Sequence, residues 1–385
     1  MNDIYLDYNA TTPCDPRVLE KMLPYFNQIF GNPANSLHRQ GRMAYKAVDE
    51  ARKQVADLIG GQPGEIYFTS GATESNNLAI FGASRIDLQK IRRRIVTCKI
   101  EHKAVLIPCK KLEEQGFEVI YLPVNSNGRV QVEDAIAAID ENTLLVSIQT
   151  ANNEIGTLQP VVEIAKLAYK HGAFMHTDAA QAVGKIPLNV DELNVDMLSI
   201  SAHKLYGPKG VGALFIRGGV RNIPLEPILF GGGQENGLRS GTTNVPSIVG
   251  FGEACRIASE LLPQESIQIA SLRDLLERVL ATNISSLRIN GDCTHRLPNT
   301  SSLTFPGIDA DALLLNLPKV MMSTGSACTS GASEPSHVLQ ALGVSRDDAS
   351  STIRASLGRF STDSDIQRSS NLITDVFNAM KYQVP

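Results

Sequence analysis

No run in this 385-residue chain is long and apolar enough to cross a membrane. The most apolar stretch, residues 312–322, is broken by Asn316, Pro318 and Lys319 and falls far short of the ~20 residues a spanning helix needs. None of the six cysteines (Cys14, Cys98, Cys109, Cys255, Cys293 and Cys328) stands in a C-x-x-C pair. That excludes a Cys-dense disulfide scaffold and points to free thiols in a reducing compartment, here expected to be the cytoplasm. The seven histidines lack H-E-x-x-H or paired Cys/His spacing, which argues against a structural zinc site or a metal hydrolase. Charge of one sign is also lacking. With 36 Lys plus Arg against 40 Asp plus Glu, the net charge is −4, a poor match to a nucleic-acid binder that neutralises phosphates. The one tight basic cluster, Arg92-Arg93-Arg94, precedes an apolar run and reads as a solvated strand entrance. The acidic start, Met1-Asn2-Asp3-Ile4, has no basic region followed by an apolar one, so no signal peptide is expected. Internal repeats, low-complexity tracts and Pro/Gly/Ser linkers are absent as well.

What is present is a chain that can fold around a substantial core, with 43% hydrophobic residues. At about 150 residues per domain its length suggests two or three domains. Apolar residues at helical spacing from Ala44 to Leu58, stopped by Gly60-Gly61, predict a helix that Asn35-Ser36 can cap. Short apolar strand patterns follow at 66–69, 94–98, 119–122, 144–150, 174–177 and 195–200, alternating with helical ones from about 72, at 103–115 and at 161–171. Strands alternating with helices predict an α/β fold with a mostly parallel sheet covered on both faces; a strand at 210–217 is placed where it closes the sheet. After a long helical region at 247–281 the pattern changes to strand, strand, helix, then a strand at 352–357 and a last helix at 364–380. This predicts a smaller α+β C-terminal domain. The division expected is 15–259 for the large domain, and 1–14 with 260–385 for the small one.

The chemistry-bearing residues fall at the carboxyl ends of the predicted strands, where open α/β sheets place ligands. Ser70-Gly71-Ala72-Thr73-Glu74-Ser75-Asn76 opens a helix, and its free N–H groups with the Thr73 hydroxyl suit an anion; a plain capping box explains the same residues. Asp178 ends an apolar strand and is either a helix N-cap or a carboxylate facing the crevice. Lys204, in Ser201-Ala202-His203-Lys204, follows another strand and precedes a tight Gly-Pro turn, a poor place for a solvated lysine. If it is buried, desolvation favours the neutral amine that Schiff-base chemistry requires.

Taken together, Asp178-x-x-Gln181, Ser201-x-His203-Lys204 and the upstream Gly71-Ala72-Thr73 loop resemble a pyridoxal-phosphate enzyme of fold type I. Glu101-His102-Lys103-Ala104-Val105 and Asn152-Asn153-Glu154-Ile155-Gly156 narrow the likeness to the class V aminotransferase group. Tyr5 to Pro13, Arg239-Ser240-Gly241-Thr242, Ser326-Ala327-Cys328-Thr329-Ser330 and Arg354-x-x-x-Gly358-Arg359-Phe360 narrow it to the cysteine desulfurases. The resemblance runs in order from about residue 4 to 376.

That resemblance implies an aspartate-aminotransferase-like large domain and a set of roles. Lys204 matches the Schiff-base lysine that also shuttles the Cα proton. Asp178 matches the partner of the pyridine nitrogen. His102 matches the ring-stacking histidine with an acid/base role, Gln181 the donor to the phenolic oxygen, and Asn153 a contact to that oxygen or to the substrate carboxylate. The phosphate would fall to the Ala72 backbone, Thr73, Ser201 and His203, with Thr242 reaching it from the other subunit of a homodimer. Arg354 matches the arginine that grips the substrate carboxylate. The roles of Asn35 and His38 stay open. Cys328 sits in residues 323–334, a run of small residues that cannot pack a core and is expected to be mobile. Its thiolate would take the sulfur of L-cysteine as a persulfide, release L-alanine, and pass the sulfur to an acceptor protein for iron–sulfur cluster assembly or thiolation.

Gln149-Thr150-Ala151-Asn152 departs from the stretch expected in housekeeping iron–sulfur enzymes, and few residues follow the last predicted helix. A specialised role, such as nitrogenase supply or nucleic-acid thiolation, therefore stands beside the housekeeping one. The alternatives are a selenocysteine lyase or a class V aminotransferase, which would need a keto-acid acceptor and no Cys328. A non-catalytic scaffold is a further class, and the presence of Lys204 and Asp178 argues against it.

Overall fold

The computed structural model describes residues 3–86, 92–324 and 336–381; Cys328 and most of its small-residue run lie outside them. Among the described residues seven strands form one sheet. From one edge to the other they are Ile66–Thr69, Gly212–Ile216, Met197–Ser201, Phe174–Asp178, Thr143–Ser147, Arg94–Cys98 and Glu118–Leu122. Six run in one direction and Gly212–Ile216 runs against them. The sequence pattern puts that strand where it closes the sheet; it lies instead second from the edge, between Ile66–Thr69 and Met197–Ser201. The link from residue 202 to 211 is too short for the crossover that a parallel partner requires, so the chain turns back antiparallel. Both of these neighbours are fully buried along their length, as a sheet covered on two faces demands.

The predicted helix around Ala44 to Leu58 spans Arg39–Ile59 and ends where Gly60 takes φ +71°, a left-handed cap that spares any Cβ penalty. Its N-cap is not Asn35 or Ser36. The His38 ring Nδ1 accepts the Gly41 N–H at 3.0 Å, while Asn35 accepts from the Leu37 N–H just outside. The long helix Val245–Asn283 packs against Arg39–Ile59 and carries Pro263. The expected boundary at 260 falls within this helix.

Beyond it, Arg288–Asn290, Thr300–Thr304 and Thr352–Ser356 form an antiparallel sheet, and Ile4–Tyr5 pairs in parallel with Val320–Met321. Ile4 and Leu6 thereby join a core of their own with Leu272, Leu303, Phe305, Ile353 and Phe377. Among the described residues no helix is long and apolar enough to cross a membrane.

His176, in the middle of the large sheet, is a buried imidazole held between two hydroxyls, Ser147 Oγ at 2.8 Å and Ser199 Oγ at 2.9 Å. Burial lowers its pKa to about 4, against a smaller opposing pull from Asp178. The unfolded chain binds a proton near pH 6.5 that the native state refuses until about pH 4. Stability from this group is therefore full above pH 6.5 and falls as pH drops through that window, by about 3 kcal/mol in all. Urea unfolding at pH 7 and pH 5 should show a steeper loss for the wild type than for His176→Gln. Equal slopes in the two proteins would refute the assignment.

Candidate active site

The strand ends and the loops that leave them enclose a cavity of about 550 Å³. Nine of the residues singled out in the sequence line it: Ala72, Thr73, His102, Asn153, Asp178, Gln181, Ser201, His203 and Lys204. The N-terminal segment closes one side with Ala10 and Thr11. Lys204 Nζ donates to the carbonyls of Asn9 and Ala10, the latter at 2.9 Å, so the amine is tethered by that segment. Asp178 keeps both carboxylate oxygens occupied: Oδ1 accepts the Ala180 N–H at 2.9 Å and Oδ2 accepts Asn76 Nδ2 at 2.6 Å. His102 caps the helix Lys103–Glu113, its Nδ1 accepting the Ala104 N–H at 3.1 Å. In the neutral ring this puts the proton on Nε2. His203, whose Nδ1 meets Thr11 Oγ1 at 3.1 Å, has its pKa lowered to about 4 by burial and then by Lys204, Lys209 and Lys185. At neutral pH it is an uncharged hydrogen-bonding group.

The anion end is built by Gly71, whose φ of +151° turns the chain into the helix Ala72–Ser84 beside Ser201. Gly212 supports it from below, because a Cβ there would strike the Ile200 carbonyl and the Gly71 backbone. Glu74 accepts the Ser70 N–H at 2.8 Å and pairs with Arg239 at 2.8 Å, fastening the turn.

A class V aminotransferase family model matches residues 4–368, nearly the whole chain. The chain belongs to the class V aminotransferase family. Among its relatives in that family, a cysteine desulfurase named as mitochondrial, from Arthroderma benhamiae, is 51% identical over 365 residues, covering 94% of this chain and 72% of the relative. A solved NifS-like protein superposes with a TM-score of 0.90 at 40% identity, covering 99% of this chain and 100% of its own. The structure of SspA in complex with cysteine gives 0.82 at 39% identity, covering 93% and 100%. Within the class V family the chain stands among the cysteine desulfurases, enzymes that depend on pyridoxal phosphate.

The cavity's donor set fits that cofactor. A helix N-terminus, two hydroxyls and a neutral histidine suit a phosphate; an amine suits the aldehyde; a carboxylate suits a pyridine nitrogen. Asn76, which lines the same cavity and holds Asp178, leaves its buried Oδ1 without a partner.

Two of the other candidates, Thr242 and Arg354, are described but do not line this cavity. Thr242 is exposed and lines a neighbouring cavity of about 160 Å³ that shares only Ser70 and Gly210 with the first. Arg354 sits behind Asn153. Its Nη1 donates to the Asn153 carbonyl at 3.0 Å, its Nη2 to Asp7 at 2.6 Å, and its buried Nε has no partner. Cys328 is outside the described residues. Asn35 and His38 stand at the start of Arg39–Ile59, away from the cavity.

Two residues at or beside the site, Asn76 and Glu101, carry no signal of their own in local pattern. Asn76 is one turn along the same helix as Thr73, in a sequence that also reads as ordinary helix. Glu101 is fully buried beside His102; its Oε1 accepts the Gln149 N–H at 2.7 Å and its Oε2 has no partner. Burial pushes its carboxyl well above the usual range.

Proposed function

We propose that this chain removes the sulfur of L-cysteine, leaving L-alanine and a persulfide on Cys328, and hands that sulfur to an acceptor protein. The observation that carries the reading is the convergence of Lys204, Asp178, His102, Gln181 and the anion-binding turn on one cavity. Pyridoxal phosphate, when bound, supplies an electron sink for charge developing on the substrate's α-carbon. The Ala72 N–H, Thr73, Ser201 and His203 would hold its phosphate, and Asp178 would keep its pyridine nitrogen protonated. Gln181 would donate to its phenolic oxygen, and His102 would stack on its ring.

Lys204 removes the Cα proton and returns it. Asn153 and Arg354 orient the substrate carboxylate; only two of the five guanidinium N–H groups are spent on Asn153 and Asp7, so donors remain for it. The Cys328 thiolate attacks the substrate sulfur: an S–S bond forms, the Cβ–S bond breaks, and the electron pair stays with carbon. That carbon takes a proton and leaves as alanine.

Support for Cys328 comes from its flanks. Ser323 exchanges backbone hydrogen bonds with Arg354. Ser336 donates to Glu154, next to Asn153, and His337 Nε2 meets the Glu101 carbonyl, next to His102, at 3.0 Å. Both sides of the segment are thus tied to residues adjacent to the cavity. Four of the other five thiols suit the task poorly: burial raises the pKa of Cys14, Cys98, Cys109 and Cys255.

A homodimer belongs to the proposal because Thr242 is exposed and does not line the cavity that holds Lys204 in its own chain, as expected of a residue serving a partner's phosphate. The division into 15–259 and 1–14 with 260–385, and a cytoplasmic location in keeping with the free thiols, belong to it too.

The test is incubation of the holoenzyme with L-cysteine, without reductant. Alanine and one added sulfur atom per chain, located on Cys328 by peptide mass spectrometry, are expected in equal amounts. Turnover that requires a keto acid, with no sulfur on the chain, would make it an aminotransferase instead.

A further inference from the structure

Lys185 is a half-buried lysine to which the reaction above gives no task. Its Nζ donates to Gln181 Oε1 at 2.7 Å and to Asn9 Oδ1 at 3.0 Å. Gln181 Nε2 in turn donates at 3.0 Å to the Asn9 carbonyl, the same oxygen that accepts Lys204 Nζ. Gln181 lines the cavity and Lys185 does not. The turn between them closes at Gly184, whose φ is +76° and whose missing Cβ would stand 3.1 Å from Leu205 Cβ.

A primary amide offers a donor at one end and an acceptor at the other, in nearly the same shape. Which end faces a ligand is decided by what holds the opposite end. Here Oε1 is capped by an amine, and Nε2 has spent one of its two hydrogens on Asn9. The remaining N–H is the group left for the cavity. We infer that Lys185 is a positioning residue: it fixes the Gln181 amide so that an N–H, not the carbonyl, is presented to the cofactor's phenolic oxygen. This rests on the role proposed above for Gln181.

The charged groups acting on Lys185 are Lys204 and Arg354, the latter paired with Asp7. Burial first, and then these two cations, hold the Lys185 amine well below the usual lysine range. Protonated or neutral, the amine keeps at least two N–H groups, enough for both acceptors, so the geometry does not depend on its charge.

The test reads the visible band of the bound cofactor against pH in substrate-free holoenzyme. The proteins compared are wild type, Gln181→Ala, Lys185→Met, Lys185→Arg and the double variant Gln181→Ala/Lys185→Met. A donor at the phenolic oxygen stabilises its deprotonated form, so losing the donor moves the titration midpoint upward. Gln181→Ala and Lys185→Met should each raise it by roughly one to two pH units, the value of a hydrogen bond to a charged oxygen. The double variant should go no further than Gln181→Ala, and Lys185→Arg, which keeps donors, should stay near wild type. A shift in Gln181→Ala with none in Lys185→Met overturns the role of Lys185 alone. No shift in either overturns the Gln181 reading and this inference with it. Additive shifts in the double variant would mean that Lys185 acts through its own charge, which also overturns it. Where Lys185→Met fails to fold, Lys185→Arg decides: a midpoint displaced as far as in Gln181→Ala refutes the inference.

Discussion

Lys204→Ala is expected to lower alanine formation from L-cysteine by at least about 10⁴-fold and to abolish covalent retention of the cofactor. The amine sits at the end of Met197–Ser201, past a single helical turn, and is tethered to the carbonyls of Asn9 and Ala10. Of the neighbouring amines, Lys209 shares the cavity with it. Lys185 and Lys209 are near enough to lower the His203 pKa, but Lys185 is committed to Gln181 and Asn9 and does not line the cavity. The phosphate contacts proposed for Thr73, Ser201 and His203 do not depend on the amine, so the variant should still bind the cofactor, and lose it on denaturation. Small exogenous amines should restore part of the turnover, since what is missing is a base of the right size in a preformed space. A variant that keeps a tenth of wild-type activity would place the proton transfer on another residue, with His102 first to be examined.

Cys328→Ser should give the opposite separation. The cofactor stays bound with an unchanged visible band, while the persulfide disappears and alanine release falls at least about a thousandfold. A hydroxyl at that position is a far weaker nucleophile toward sulfur than a thiolate. Cys293, the exposed thiol among the described cysteines, is the control: Cys293→Ser should match wild type in both readouts. Full activity in Cys328→Ser, or loss in Cys293→Ser, would refute the assignment of the sulfur-accepting residue. The two variants together separate the carbon chemistry at Lys204 from the sulfur chemistry at Cys328.

The sheet was legible because buried strands are written as short apolar runs bounded by turns. Ile66–Thr69 and Arg94–Cys98 begin and end where the pattern places them. The same punctuation picked out the candidate site: Asp178 is the last residue of its strand, and Thr73 and Lys204 follow shortly after theirs. Periodicity reports that a face is buried and says nothing of what buries it, and there the reading stopped. His38 caps its helix because its ring lies within reach of the Gly41 N–H, a placement that Asn35-Ser36 also offered in one dimension. The antiparallel course of Gly212–Ile216 followed from the length of a connection, not from its apolar residues.

The amino-acid sequence by itself determined the class of chemistry: a turn suited to an anion, a carboxylate and an amine at strand ends, in an order shared with one family. The tertiary structure decided which side chains hold those groups in place. Asp7 and Arg354 are 347 positions apart and form an ion pair at 2.6 Å. Asn9 gathers Lys204, Gln181, Lys185 and Asn299 only because Ile4–Tyr5 pairs with Val320–Met321 and carries the segment across the cavity. A lysine such as Lys185 reads in one dimension as a solvated turn residue. Its buried acceptors, one of them distant in the chain, become visible only when packing has removed water from around it.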